Sequence, residues 1–285
     1  MVAARMPHPK SGGQVLVSVL MATFNAGKTV AAAIDSVLAQ QGVSVELLIA
    51  DGLSKDDTVA VCRRYEPQLA VFLSERDKGV YDAWNKLIPK ARGNWLCVLG
   101  ADDEFASPYS LKELLDHAAD GPPGCRVVYG RHELVDSKGL VMQEVGRPGP
   151  QCRDAMRWRM SIPHGGTLHA RAVFDETGGF DPRFRIAGDY AMVRRENLRN
   201  GAHFVDRVVV RAGWGGLSTR SELEWAAHRE VGQVLLEADG SRPLVWFVRA
   251  LKIGIRMAIY RAAGSAGLSR YERLKSRLGL AVRNS

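Results

Sequence analysis

The chain has 285 residues, 46% of them hydrophobic and 25% charged, which suits a soluble protein with a full core, either one large α/β domain with appendages or two small domains. Its four cysteines, Cys62, Cys97, Cys125 and Cys152, stand far apart with no CxxC pair, which excludes a paired-cysteine zinc site and a disulfide framework and fits a reducing cytoplasm. The net charge of +8 is concentrated at one end: residues 242–285 carry +9, ten Lys or Arg against Glu272, and the remainder carries −1.

Residues 1–13 lack the apolar core of a secretory signal and read as a flexible N-terminus, and no uninterrupted apolar stretch reaches the roughly 18 residues of a spanning helix. Neither export nor a bilayer crossing is expected. Residues 15–24, 45–50, 69–73 and 95–99 are short, β-branched or continuous apolar runs, as a sheet buried on both faces requires. Between them, residues 28–41, 57–65 and 80–91 have helical period, and Ser54-x-x-Asp57 reads as a capping signal for the second helix. This alternation predicts parallel strands with right-handed crossovers and a ligand site at the carboxyl ends of the strands.

After Asp103 the rhythm changes. Ser107-Pro108 opens a helix expected to reach residue 119, and residues 126–145 read as two strands joined by a turn at Asp136-Ser137-Lys138-Gly139. Then follow a strand at 165–170, helices at 170–177 and 189–199, the latter ended by Asn200-Gly201, a strand at 203–211 and a helix at 221–237. No internal repeat or low-complexity segment occurs.

Polar groups gather where the first, second and fourth strands end, at Thr23-Phe24-Asn25, Asp51-Gly52 and Asp102-Asp103-Glu104. Paired acids after a buried strand are costly unless something positive compensates, and their hard oxygens suit Mg²⁺ or Mn²⁺ bridging to a diphosphate. The same two aspartates would serve as caps for the following helix.

The order of these pieces resembles the inverting family 2 glycosyltransferases of GT-A fold. Thr23-Phe24-Asn25, the run from Asp51 to Thr58, the run from Glu75 to Asn85, Gly93 and Ala101-Asp102-Asp103 carry the resemblance, continued by Pro163-His164-Gly165, Gly178-Gly179-Phe180-Asp181 and Ala187-Gly188-Asp189-Tyr190. It implies a mostly parallel, Rossmann-like central sheet flanked by helices, with a catalytic domain over residues 14–220, whose nucleotide-binding half is 14–104 and acceptor half 105–220. It also implies a nucleotide-diphosphate sugar donor, commonly UDP-linked, and inversion at the anomeric carbon. Thr23 and Asn25 would flank the nucleotide, Phe24 would line its pocket, and Asp51 would accept from the base. Asp77, Lys78 and Gly79 would form a loop near the diphosphate or ribose, and Asp82 and Asn85, three apart on a helix, would both face the donor. Asp103 would bind Mn²⁺ or Mg²⁺ directly, and Asp102 would contact ribose or a metal-bound water.

Inverting transfer requires a base opposite the leaving group, and Asp189, at a helix start after Gly188, is the candidate. Its plain alternative is an N-cap; Glu176 and Asp181 are weaker candidates. His164 would contact the diphosphate or complete the metal shell, unless it is structural. Trp214 to Arg220 reads as a lid bringing Arg220 to the leaving diphosphate, or as a turn with a solvent-facing arginine.

Residues 221–285 read as a basic helical extension. Over 243–260, Arg249, Lys252 and Arg256 share one narrow helix face beside aliphatic and aromatic residues, and 269–280 adds four more cations. A groove on the catalytic domain or a second subunit would cover such a helix. An anionic membrane surface against residues 243–281 suits tryptophan, cations and an aliphatic face together, and nucleic acid does not. The expected protein is a cytoplasmic transferase, peripheral on the inner membrane face, that extends a glycan acceptor carried on polyprenyl diphosphate. A nucleotidyltransferase is the rival of like fold, although Ala26-Gly27-Lys28 is too short for a triphosphate loop, and a sugar-nucleotide-binding protein without turnover is the rival of another class.

Overall fold

A computed structural model describes residues 16–136, 138–213 and 223–277, and the chain divides into two compact units, Met1–Thr219 and Arg220–Ser285. In the first unit the strands β1 (Leu16–Thr23), β2 (Ser44–Asp51), β3 (Val71–Ser74) and β4 (Trp95–Gly100) lie in the order β3-β2-β1-β4 and all pair parallel. The helices between them are α1 (Val30–Leu38), α2 (Thr58–Arg64) and α3 (Val80–Leu87). The apolar runs are continuous because both faces are covered: Val17, Val19, Leu20 and Met21 in β1 and Leu47, Leu48 and Ile49 in β2 are essentially inaccessible. Each such side chain contributes about 1.5–3 kcal/mol relative to exposure.

Beyond β4 the sheet is mixed. It continues through β8 (Leu168–Ala170), antiparallel to β4, then β6 (Val127–Val135), β9 (His203–Gly213) and β5 (Asp103–Phe105), and β7 (Val141–Val145) pairs with the outer part of β6. Helices α4 (Ser110–Asp116), α5 (Gly149–Ala155), α6 (Arg171–Thr177) and α7 (Gly188–Asn200) complete the unit. The result is a curled α/β sheet flanked by helices, the expected GT-A class.

Several local expectations change. The helix expected from residue 107 starts at Ser110, since the residue before Pro108 is steered away from helical backbone and the Ser110 hydroxyl instead accepts from Ser107 N–H at 3.1 Å. The helix expected to reach residue 91 stops at Leu87 and tightens into a 3₁₀ turn, Ile88–Lys90, where Pro89 has no N–H to donate. Gly165-Gly166 turns rather than extends, with Gly166 at φ 68°, so the expected strand shrinks to Leu168–Ala170. The Ser54-x-x-Asp57 cap does not form: Asp57 makes no capping hydrogen bond, and Asp56 accepts from Thr58 N–H at 3.0 Å instead. The strand β5 and helix α5 were not expected.

The second unit is a helical hairpin of α8 (Glu224–Asp239) and α9 (Leu244–Arg277), turned at Gly240 with φ 70°. The tail is therefore one long helix rather than two pieces. Trp246 stacks on His228 at 4.4 Å and donates its indole N–H to the His228 carbonyl, over Gly232, where a Cβ would stand 2.7 Å from the indole. Burial, then Arg249 and Arg242, push the His228 imidazole down to about 4, so it is neutral in this stack. Among the described residues no helix is long and apolar enough to cross a membrane.

Candidate active site

The carboxyl edge of the parallel strands is held together by Asp51. Its carboxylate accepts from the Thr23 hydroxyl at 3.1 Å, the Ser54 N–H at 3.1 Å, the Ser54 hydroxyl and the Ser74 hydroxyl at 2.9 Å. Those four donors fill the carboxylate as it stands, so Asp51 is the knot joining β1, β2 and β3. Asn25 and Leu53 adopt left-handed backbone, φ 52° and 60°. Asn25 does so at little cost, its N–H donating to Ser54 Oγ at 2.8 Å and its Oδ1 accepting from Lys55 N–H at 2.9 Å. Leu53 has no such excuse, and of order 1–3 kcal/mol of strain is held where it borders the site. Phe24 is 64% exposed at this rim, so it is not part of the core.

Asp102 and Asp103 follow the end of β4, and Asp103 opens β5, paired opposite Ala212. Both carboxylates fold over Gly100: a Cβ there would stand 2.6 Å from Asp103 Oδ2 and 3.0 Å from Asp102 Oδ1. The Gly100 and Gly213 N–H groups support Asp103, yet burial, and then repulsion from Asp102, push its carboxyl up to about 7. These converging oxygens fit a divalent cation, which would supply the missing positive charge. Among the described residues no three His, Cys, Asp or Glu side chains form a metal site. The remaining ligands would be oxygens of the substrate.

The 77–79 loop is self-braced. Asp77 Oδ1 accepts from Gly79 N–H at 2.9 Å, and its other oxygen lies 2.5 Å from a Cβ position on Gly52, so the loop abuts the end of β2. Lys78 is exposed, Asp82 Oδ2 accepts its N–H at 3.0 Å, and a Cβ on Gly79 would meet only open space. Asp82 and Asn85 do not act alike. Asn85 donates to the Phe180 carbonyl at 2.7 Å and accepts from the Phe180 N–H at 2.8 Å. Its amide is a clasp between α3 and the 178–181 turn, so the donor-facing role expected of Asn85 is not available to it.

Asp189 sits in the first turn of α7. Its Oδ1 accepts from Tyr190 N–H at 2.7 Å and lies 3.0 Å from the Tyr81 hydroxyl, which is also 2.7 Å from the Ile186 carbonyl. Gly188 makes this approach possible, since a Cβ there would be 2.9 Å from the Tyr81 ring. The other oxygen, Oδ2, is 4.0 Å from His164 Nδ1, with the Asp189 side chain 24% exposed. Burial lowers the His164 pKa while Asp189 opposes, so the imidazole faces Asp189 mainly uncharged; its Nε2 is buried without a hydrogen-bond partner among the described residues, as is Trp84 Nε1. Gly165, the next residue, has its Cβ position 3.4 Å from Asp103 Oδ2. One two-residue segment thus has Asp189 against His164 and Asp103 against Gly165.

Arg220 and the whole 214–220 segment fall outside the described residues. Glu176, a weaker candidate base, is paired with Arg126 at the surface, and Asp181 with Arg183. Reading the residues in order missed Tyr81, Trp84, Gly100 and Phe180. Tyr81 and Trp84 share the buried face of α3 and looked like ordinary core; their polar atoms were the available signal, because a buried O–H or N–H demands a partner.

The chain matches the model of the family described as "Glycosyl transferase family 2" over residues 18–176, more than half its length. It is 27% identical over 180 residues to a PGL/p-HBAD biosynthesis glycosyltransferase of Mycobacterium tuberculosis, covering 61% of this chain and 67% of the relative. It is 35% identical over 128 residues to the succinoglycan biosynthesis protein ExoO of Rhizobium meliloti, covering 45% and 36%. Two solved structures share its fold. The mannosyltransferase PcManGT of Pyrobaculum calidifontis in complex with GDP-Man and Mn²⁺ has a TM-score of 0.64 at 19% identity, covering 99% of this chain and 85% of that one. The S. aureus TarS fragment 1–349 in complex with UDP-GlcNAc has 0.57 at 16%, covering 78% and 67%. With the strand-end aspartates, the helix-start aspartate and this match together, the chain belongs to glycosyl transferase family 2.

Proposed function

We propose that this chain is an inverting, divalent-metal-dependent glycosyltransferase that moves a sugar from a UDP-linked donor to a glycan acceptor. The observation that supports the reading is that Asp103 and Asp189 both lie against the His164-Gly165 segment, Asp103 at Gly165 and Asp189 at His164. Phe24 and Leu53 would form the apolar wall for the base, with Thr23 and Asn25 beside the nucleotide, and the 77–79 loop would hold ribose or diphosphate by backbone N–H groups and Lys78. His164 would add an uncharged contact at the anomeric end, and Arg220 would arrive with a closing segment.

In the reaction the acceptor hydroxyl oxygen forms a bond to the anomeric carbon as the bond from that carbon to the β-phosphate oxygen breaks. The hydroxyl proton passes to Asp189, and the nucleoside diphosphate departs with the electron pair. Bound Mn²⁺ or Mg²⁺, held by Asp103 with Asp102 beside it, would supply charge neutralisation for the leaving diphosphate. Tyr81 holds Asp189 for this role: its hydroxyl donates to the ionised carboxylate, and once Asp189 carries the proton the same hydroxyl can turn to the Ile186 carbonyl. The acceptor in this reading is carried on polyprenyl diphosphate, at the inner face of the membrane, reached through residues 243–281.

A thermal-shift screen of nucleotide sugars with and without Mn²⁺ identifies the donor, because a specific ligand raises Tm by mass action. With that donor, Asp189→Asn should leave the shift intact and lower transfer about 10²–10⁴-fold. Transfer at the wild-type rate in Asp189→Asn would overturn the reading.

A further inference from the structure

The outward face of α9 is apolar. Leu244, Val248, Leu251 and Ile255 recur at spacings of four, three and four, so they form one stripe along the helix, and all are exposed, Leu244 at 79% and Leu251 at 67%. Phe247 widens the stripe at 52% exposure. The inward face is already satisfied, since Trp246 stacks on His228 and Ile253 is 1% exposed. Arg249, Lys252 and Arg256 run along one flank, between the packed and the exposed faces, with Arg256 reaching Glu224 at 3.5 Å. Water is the wrong solvent for such a face.

Beside the start of α9 lies a pocket of about 460 Å³ lined by Arg229, Glu230, Gln233, Arg242 and Trp246. Arg242 spends Nε on the Gly232 carbonyl at 2.9 Å and lies 4.8 Å over the Trp246 ring, and among the described residues its two terminal nitrogens meet no acceptor. Arg229 makes no ion pair among the described residues, and Glu230, the acidic side chain of the lining, has an interaction of its own. Two arginines beside a tryptophan ring suit a phosphate monoanion or diester.

We infer that the α8–α9 hairpin is a membrane-docking module, which lays the Leu244–Phe247–Leu251–Ile255 face into an anionic bilayer and takes a lipid phosphate between Arg229 and Arg242. The inference deepens the membrane part of the reading above and is independent of its chemistry. The stripe would also suit a second copy of the same helix, but residues 242–285 carry +9, which repels a like helix and attracts an anionic leaflet. The flanking cations stand where headgroups would lie, with their stems along the apolar stripe.

Flotation of the full-length chain with phosphatidylcholine vesicles, with and without phosphatidylglycerol, tests it. The wild type should partition about tenfold or more in favour of the anionic vesicles, and Leu251→Glu and Phe247→Glu, at exposed positions and with unchanged Tm, should each lose most of that binding. Arg229→Ala with Arg242→Ala should weaken the preference for anionic over neutral vesicles, the remaining cations of α9 keeping part of it, while apolar binding remains. Donor hydrolysis in vesicle-free solution should be intact in Leu251→Glu, and vesicle binding intact in Asp189→Asn, so failure of the docking face and failure of the catalytic reading are separable. Equal partitioning of the wild type onto both vesicle types, or full binding by Leu251→Glu, overturns the inference. So does a wild-type dimer that Leu251→Glu dissociates without loss of vesicle binding.

Discussion

The two ends of the parallel sheet hold acidic side chains in opposite conditions. At the amino end, Glu46 accepts from the Ser18 hydroxyl at 2.6 Å and from Arg92 Nε at 2.8 Å, and Ser18 in turn accepts from Gly93 N–H at 2.8 Å. Burial is the largest influence on Glu46 and would raise its pKa, but the hydrogen bonds from Ser18 and Arg92 together outweigh it and hold the carboxyl below the usual range. At the carboxyl end, burial and Asp102 push Asp103 up to about 7, with two backbone N–H groups as its support. One end is arranged to close the fold. The other is left short of positive charge, which a bound ligand would provide.

Four substitutions would break or sharpen that contrast. The largest effect is expected from Asp103→Asn: metal-dependent transfer should fall by about 10³-fold, with little loss of stability, since it relieves repulsion with Asp102. Steady-state rates against Mn²⁺ concentration, read beside a melting curve, check both halves. Glu46→Gln should do the reverse, leaving the active-site geometry alone and costing about 1–3 kcal/mol of stability by unpairing Arg92 and Ser18. The pH sign follows from the lowered pKa: the contribution of Glu46 is fully present above its unfolded value of about 4.3 and is lost as pH falls through the folded value. Urea unfolding should therefore separate wild type from Glu46→Gln at neutral pH and bring them together in acid. A gap that widens in acid would show the contrast to be wrong.

Asn85→Ala should also cost about 1–3 kcal/mol, through the two orphaned backbone groups of Phe180, without a change in donor affinity. Donor Kd raised tenfold at unchanged Tm would restore Asn85 to the binding site. The smallest effect belongs to Tyr81→Phe, which keeps the ring against Gly188 and removes only the hydroxyl. It should lower kcat by about tenfold with donor KM nearly constant, as expected of a residue that positions Asp189 rather than binding the donor.

How much was readable in the order of residues varies along the chain. The four parallel strands and their helices were legible because a two-sided buried sheet demands unbroken apolar runs, and β1 and β2 supply them. The mixed half was less legible. Strand β5 is three residues long and exists only by pairing with β9, a hundred residues downstream, so no local pattern announces it. Asn85 was illegible for a related reason: helical spacing says which side chains share a face, not which partner that face meets. Asp82 meets its own helix start, and Asn85 meets Phe180.

The covalent order of the chain was enough to settle the α/β class, the family and the basic end, since each rests on local periodicity, composition or motif spacing. Folding in three dimensions had to settle the rest. It knotted Asp51 to neighbouring strands, brought Asp103 and Asp189 against His164-Gly165, set Tyr81 against Asp189, and turned the apolar stripe of α9 outward while Trp246 turned in. Those facts depend on distances between residues far apart in the chain, and distance through space is the quantity on which hydrogen bonding, desolvation and charge repulsion act.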